Sequence, residues 1–166
     1  MTATLDQVIE ILEQSEGLYQ RLVPIFYREK RAALSSDPRR LSAVTIEKEE
    51  LLAQLGQLER RRINLVSQMA DALKLPPSQM NLSVLAANAD VHQAFRITRL
   101  RQSLGALINT VKLANAENRL LIQHCLDLAR SAMCFFQHWM KPVSVYGSSG
   151  RMDTGKGSGK LVSGTI

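Results

Sequence analysis

Aromatic side chains make up only 5% of this 166-residue sequence, and its five prolines fall at a few places. No apolar run comes near the roughly 20 residues needed to cross a bilayer. These shortages argue against a sandwich or barrel and for helices packed through Leu, Ile, Val and Ala. Cysteine is nearly absent too. Cys125 and Cys134 are nine residues apart in one helical stretch. That places them about 13 Å apart on opposite faces, which excludes a disulfide between them. As free thiols they read as small core hydrophobes. Cys134 and His138 share a face at i, i+4, but two ligands without a third make a poor metal site. His92 and His124 stand alone, so neither a metal nor another cofactor is expected. The start, MTATLDQVIEILEQ, is acidic and periodic where a signal peptide would be basic and then apolar. A cytoplasmic protein with no direct membrane insertion is the expectation.

One sign of charge is in excess. The net charge is +6, and half of it comes from Lys141, Arg151, Lys156 and Lys160 against Asp153 alone. Elsewhere acids interleave with bases, as in YREKRAAL and LERRRIN, which is the pattern of solvated helix faces. No nucleic-acid recognition motif accompanies the charge, so no nucleic-acid partner is expected.

Near the C-terminus, SSGRMDTGKGSGK imitates a phosphate-binding loop. Gly150, Gly155 and Lys156 have the spacing G-x-x-x-x-G-K. However, Gly157 stands where a Ser or Thr hydroxyl should hold magnesium. The residues that follow, GSGKLVSGTI, are poorly suited to nucleating the helix whose N-terminus would face the phosphate. The nucleotide reading fails on mechanism. No nucleophile, base and orienting group can be placed together either, so no catalytic residues are expected and the chain reads as a non-enzyme. His124, in LIQHCLDLA, has no lysine within a turn, which counts against a phosphotransfer bundle.

What is abundant is helical periodicity. Thr4–Gln7 has the form of a capping box, and a seam follows through Leu5, Val8, Leu12, Ser15, Tyr19, Leu22, Phe26, Glu29 and Ala33. Pro24 interrupts one backbone bond of this helix and should kink it. SSDPRR ends it. A second seam reads Leu41, Val44, Lys48, Leu51, Leu55, Leu58, Arg62, Leu65, Met69 and Ala72, and KLPPSQ breaks it. Folded antiparallel about Asp37–Arg39, the two seams mate in pairs whose residue numbers sum to 77. Phe26 meets Leu51, Leu22 meets Leu55, Tyr19 meets Leu58, Leu12 meets Leu65 and Val8 meets Met69. The polar layers match as well: Glu29 faces Lys48, and Ser15, beside Glu16, faces Arg62. This is a register-setting hairpin.

NLSVLAANAD predicts a short helical turn, and Asp90 can cap a third, long helix. Its stripe runs Leu104, Ile108, Val111, Asn115, Asn118, Ile122, Cys125, Ala129, Ala132, Phe136 and Trp139, ending at Lys141-Pro142. The predicted fold is all-α: an elongated antiparallel bundle of three main helices, a coiled-coil-like hairpin plus the long third helix, over residues 1–140. If that helix runs unbroken, at about 1.5 Å per residue it outreaches either hairpin arm by something like 25 Å, carrying MCFFQHWM with it. Such an apolar overhang marks a partner surface and is able to pair with its own copy, giving a homo-oligomer. Alternatively the helix bends near LANAENR, or the Leu75–Asp90 segment covers that end. After Pro142 come six of the nine glycines and five serines, so residues 141–166 read as a flexible tail. Its β-prone islands, VSVYG and KLVSGTI, suit folding upon binding.

Three stretches carry a family resemblance: IEKEELLAQLGQLERRR at 46–62, NRLLIQHCLDLAR at 118–130, and above all KPVSVYGSSG…GKLVSGTI. They resemble the FlgN family of flagellar type III export chaperones over nearly the whole chain. The resemblance implies a helical cytosolic chaperone for the hook–filament junction proteins FlgK and FlgL. Such a chaperone grips the client's C-terminal segment and delivers it to the export gate. It also implies that Tyr146, within Val145-Tyr146-Gly147, docks on the cytoplasmic domain of the gate component FlhA. Packing of Tyr146 back on the helix end is the plainer alternative. A client's amphipathic helix would lie on Leu121, Cys125, Leu128, Ala132, Phe135, Phe136 and Trp139. A general coiled-coil adaptor or scaffold is the competing reading, but it would not require the tyrosine-glycine tail.

Overall fold

The computed structural model describes residues 2–76 and 79–140. Among these residues every regular element is a helix: α1 at Thr2–Leu34, α2 at Pro38–Leu73, α3 at Leu82–Ala87 and α4 at Val91–Trp139. The all-α expectation holds, with the short α3 supplying the turn expected from NLSVLAANAD. The chain divides into two units, one ending at Gln123 and the other beginning at His124. The expected tail at 141–166, with Val145, Tyr146 and Gly147, lies outside the described residues.

Local chemistry sets most helix ends. Asp37 accepts from the amides of Arg39 and Arg40, each at 3.1 Å, with Pro38 just inside α2. Asn81 caps α3 in the same way, accepting from Ser83 and Val84. At α4, Asp90 accepts from the Gln93 amide at 2.8 Å while the Gln93 side chain accepts from the Asp90 amide, a reciprocal capping box. Both α1 and α2 stop through a left-handed residue, Ser36 at φ 51° and Lys74 at φ 54°. The amides that follow turn back to Ala32 and Ala70. One expectation is corrected: Thr4 is not a cap, because α1 is already helical from Thr2. Pro24 lies within α1, and the helix continues through it.

In the first unit four of the five apolar pairs read from the seams fall together in core clusters, whereas Leu58 is buried but shares neither cluster with Tyr19. Phe26, Leu22, Leu51 and Leu55 share one core cluster, and Val8, Leu12, Leu65 and Met69 share another. Lys48 forms an ion pair with Glu29, as the sum of 77 requires. Ser15 and Arg62 do not pair. Arg62 bonds Glu59 one turn away in its own helix, at 2.6 and 2.7 Å, and the Ser15 hydroxyl donates to the Ile11 carbonyl. Glu16 is instead bonded by Arg99 and Ser103 of α4.

That exchange belongs to a ladder between α1 and α4. Gln93 donates to Asp6 at 2.8 Å, Arg96 to Glu13 at 2.8 Å, Lys30 to Glu117 at 3.1 Å, and Asn118 to the Phe26 carbonyl at 2.7 Å. Partners are separated by 83 to 92 residues, a nearly constant offset, so α4 runs parallel to α1. Between the rungs, Ile97, Leu100 and Leu104 pack with Leu5, Val8, Ile9 and Leu12. Full burial of each such side chain contributes about 1.5–3 kcal/mol. The second helix adjusts accordingly. Ala72, placed on its seam by periodicity, is exposed, whereas Val66 and Ala70 are buried among α1, α4 and the Leu75–Asp90 segment. That segment contributes Met80 and Leu85 to this cluster. On α4, Asn115 is exposed and Ala114 takes its place against the second cluster.

The buried Asn118 does more than fill space. Its amide donates both to the Phe26 carbonyl and, at 2.9 Å, to Glu29, which is only 3% exposed and paired with Lys48. The Lys48 ammonium also stands 5.5 Å from the Phe26 ring centre. One polar knot thus joins α1, α2 and α4 at a single level.

Candidate functional site

The second unit is described through His124–Met140, which is helical as far as Trp139. Leu, Ala, Arg and Met are good helix formers, and neither glycine nor proline interrupts the run. Cys125, Leu128, Ala132, Phe135, Phe136 and Trp139 recur at steps of one, three and four, with Leu121 one turn earlier. At 3.6 residues per turn these seven lie within an arc of roughly 100°. Leu121 and Cys125 are half-buried and Ala132 is exposed. Leu128 is 72% exposed, Phe135 66%, Phe136 58% and Trp139 79%. The two phenylalanine rings meet edge to face, with centres 6.0 Å apart. Asp127 and Arg130, the charged residues of this stretch, are bonded to each other at 3.5 Å. The reading of both cysteines as core residues is corrected: Cys125 is half-buried and Cys134 exposed. So much apolar surface on one helix is costly in water.

A concavity, which the sequence did not reveal, lies within the first unit. A cleft of about 700 Å³ opens among Leu12, Tyr19, Leu55, Leu82, Leu104 and Ile108. Its charged lining is occupied internally. Arg62 holds the Glu59 carboxyl below its ordinary range, chiefly by their hydrogen bond, and Arg101 donates to the Ser83 hydroxyl at 2.8 Å. Among the described residues, no three of His, Cys, Asp and Glu come together as a metal-holding group. No described helix is long and apolar enough to cross a membrane.

The family model of the FlgN protein matches residues 1–154. The chain belongs to the FlgN family. No curated protein and no solved structure matches it. FlgN membership implies a flagellar export chaperone in general, and FlgN proteins are chaperones rather than enzymes. The matched span includes both the apolar stripe and Tyr146, the latter outside the described residues.

Proposed function

We propose that this FlgN-family chain is the cytoplasmic export chaperone for hook–filament junction proteins of the FlgK and FlgL kind. It holds their C-terminal segments on the face running from Leu121 to Trp139. It passes them to the cytoplasmic domain of an FlhA-like export gate through Val145, Tyr146 and Gly147. The observation that carries this reading is the exposure of Leu128, Phe135, Phe136 and Trp139 on one helical face. An amphipathic helix from a client would cover that face, with anchors at i, i+3, i+4 and i+7. Trp139 is the expected centre of the binding energy, being the largest and most exposed of the aromatic side chains along it. Covering the client's terminal helix also prevents that helix from assembling with its own kind before export. The tail tyrosine offers a rigid ring and one hydroxyl between a valine and a glycine, a compact anchor for a second partner.

Calorimetry with C-terminal peptides of the junction proteins tests the assignment. Trp139→Ala should weaken capture by about 2 kcal/mol, roughly 30-fold, the scale of an interface hot spot. Circular dichroism should show unchanged helicity. An unaltered affinity in the folded variant would place the client elsewhere on the molecule.

A further inference from the structure

We infer that the same face also pairs two copies of this chain, antiparallel, about an axis at Ala132. Large and small side chains alternate along it in an order that suits this pairing. Laying a second copy so that Ala132 faces Ala132 brings Cys125 level with Trp139, Leu128 with Phe136, and Ala129 with Phe135. The smallest residue sits at the crossing point, where it lets the backbones approach. Towards each end, Phe135 and Trp139 stand over the space left by Ala129 and Cys125 of the other copy. A parallel pairing would set Trp139 on Trp139 and Ala132 on Ala132, giving crowded layers beside hollow ones, both of which destabilise. Charge does not oppose the antiparallel arrangement. Asp127 and Arg130 already bond each other, and their level partners in the second copy are Gln137 and Cys134, which are uncharged.

The area available fits a weak, reversible dimer. With about 200 Å² per ring, the 66%, 58% and 79% exposures of Phe135, Phe136 and Trp139 offer roughly 400 Å² per copy. With Leu128 added, two copies bury about 1,000 Å², the lower edge of specific interfaces. Taken with the proposed client site, on which this last step rests, the client and the second copy compete for one face. The unloaded chaperone is then self-capped, and client binding releases monomers.

Sedimentation of the full chain over increasing concentration should show a monomer–dimer equilibrium. Ala132→Glu, which sets two carboxylates at the axis, should shift it at least tenfold towards monomer with helicity retained. In a Cys125→Ala, Cys134→Ser background, mild oxidation should link Ala132→Cys to itself. The Cα separation at such a crossing lies within disulfide reach. Leu128→Cys should not link to itself, yet it should link to Phe136→Cys when the two variants are mixed. A chain that stays monomeric at several hundred micromolar overturns the proposal, and that measurement needs no variant. Self-linking of Leu128→Cys overturns the antiparallel alignment. Client peptide should dissolve the dimer. If the dimer forms but peptide binds it without dissociation, the competition fails while the dimer stands. If no peptide binds at any concentration, the client assignment fails and the sedimentation result still decides the pairing.

Discussion

Replacing Lys48 by methionine isolates the energetics of the knot that holds three helices in register. Glu29 is 3% exposed, and in the variant its carboxylate keeps only the Asn118 amide, at 2.9 Å, of the two side-chain partners it has in the native chain. Breaking a buried ion pair from one side costs about 3–5 kcal/mol, because the remaining charge is left without compensation. The lower end applies here: the Lys48 side chain is itself 17% exposed, so water reaches the pair. An expected loss of about 3 kcal/mol corresponds to a fall in Tm of roughly 10 °C for a domain of this size. The double variant Lys48→Met, Glu29→Leu removes both charges, and Asn118 retains the Phe26 carbonyl at 2.7 Å. It should lie within about 1 kcal/mol of the native chain. Urea unfolding followed at 222 nm for the four members of the cycle gives the coupling directly, expected at about 2 kcal/mol or more. If the single variant loses less than 1 kcal/mol and the coupling is near zero, the pair is effectively solvated. The register would then rest on apolar packing alone.

Two further outcomes follow from the proposed division of labour and from the surface ion pairs. Tyr146→Ala should leave client-peptide affinity unchanged while weakening binding to the cytoplasmic domain of the export gate. Loss of both together in a pull-down would refute separate sites. The Glu47 carboxyl is held below its ordinary value of 4.5, first by its hydrogen bond from Arg28, and Glu59 is lowered in the same way by Arg62. A carboxylate lowered in the folded state stabilises above its unfolded pKa, and that stability is lost as pH falls through the folded value. The urea midpoint should therefore be level from pH 7 to about 5.5 and decline below about 4.5. The Glu47→Gln, Glu59→Gln variant should decline less. An identical acid profile in that variant would assign the loss to other carboxylates.

Periodicity made the α1–α2 contact legible because both partners announce themselves in the same way. A seam with Glu29 and a seam with Lys48 can be aligned on their shared polar layer, and the structure brings those two side chains together. The same logic failed at the next polar layer, four steps along the seam. Arg62 found Glu59 within its own helix, at no cost in chain entropy, and Glu16 turned to α4. Nothing in the spacing of Glu13, Glu16, Arg96 and Arg99 separates a solvated charge from a rung between two parallel helices. Gln93 was legible neither as a capping partner of Asp90 nor as a bond to Asp6, yet it does both. At the candidate site, the apolar stripe was readable from composition and phase. That Leu128 and Trp139 are uncovered was expected only for an unbroken helix, one of the alternatives left open, and that Cys134 is no core residue was not expected.

By itself the sequence determined most helix ends, though not the start of α1, together with the mating of α1 with α2 and the apolar character of the stretch that ends at Trp139. These follow from contacts within a turn or two and from a repeat that every residue of a helix reports. Tertiary structure decided what lies opposite each face. It made Asn118 a third member of the Glu29 knot, moved burial on α2 from Ala72 to Val66 and Ala70, and left the aromatic face open. A helical pattern fixes which side of its own axis is apolar. The surface that comes to rest against that side arrives from more than eighty residues away in the chain, and only the folded packing chooses it.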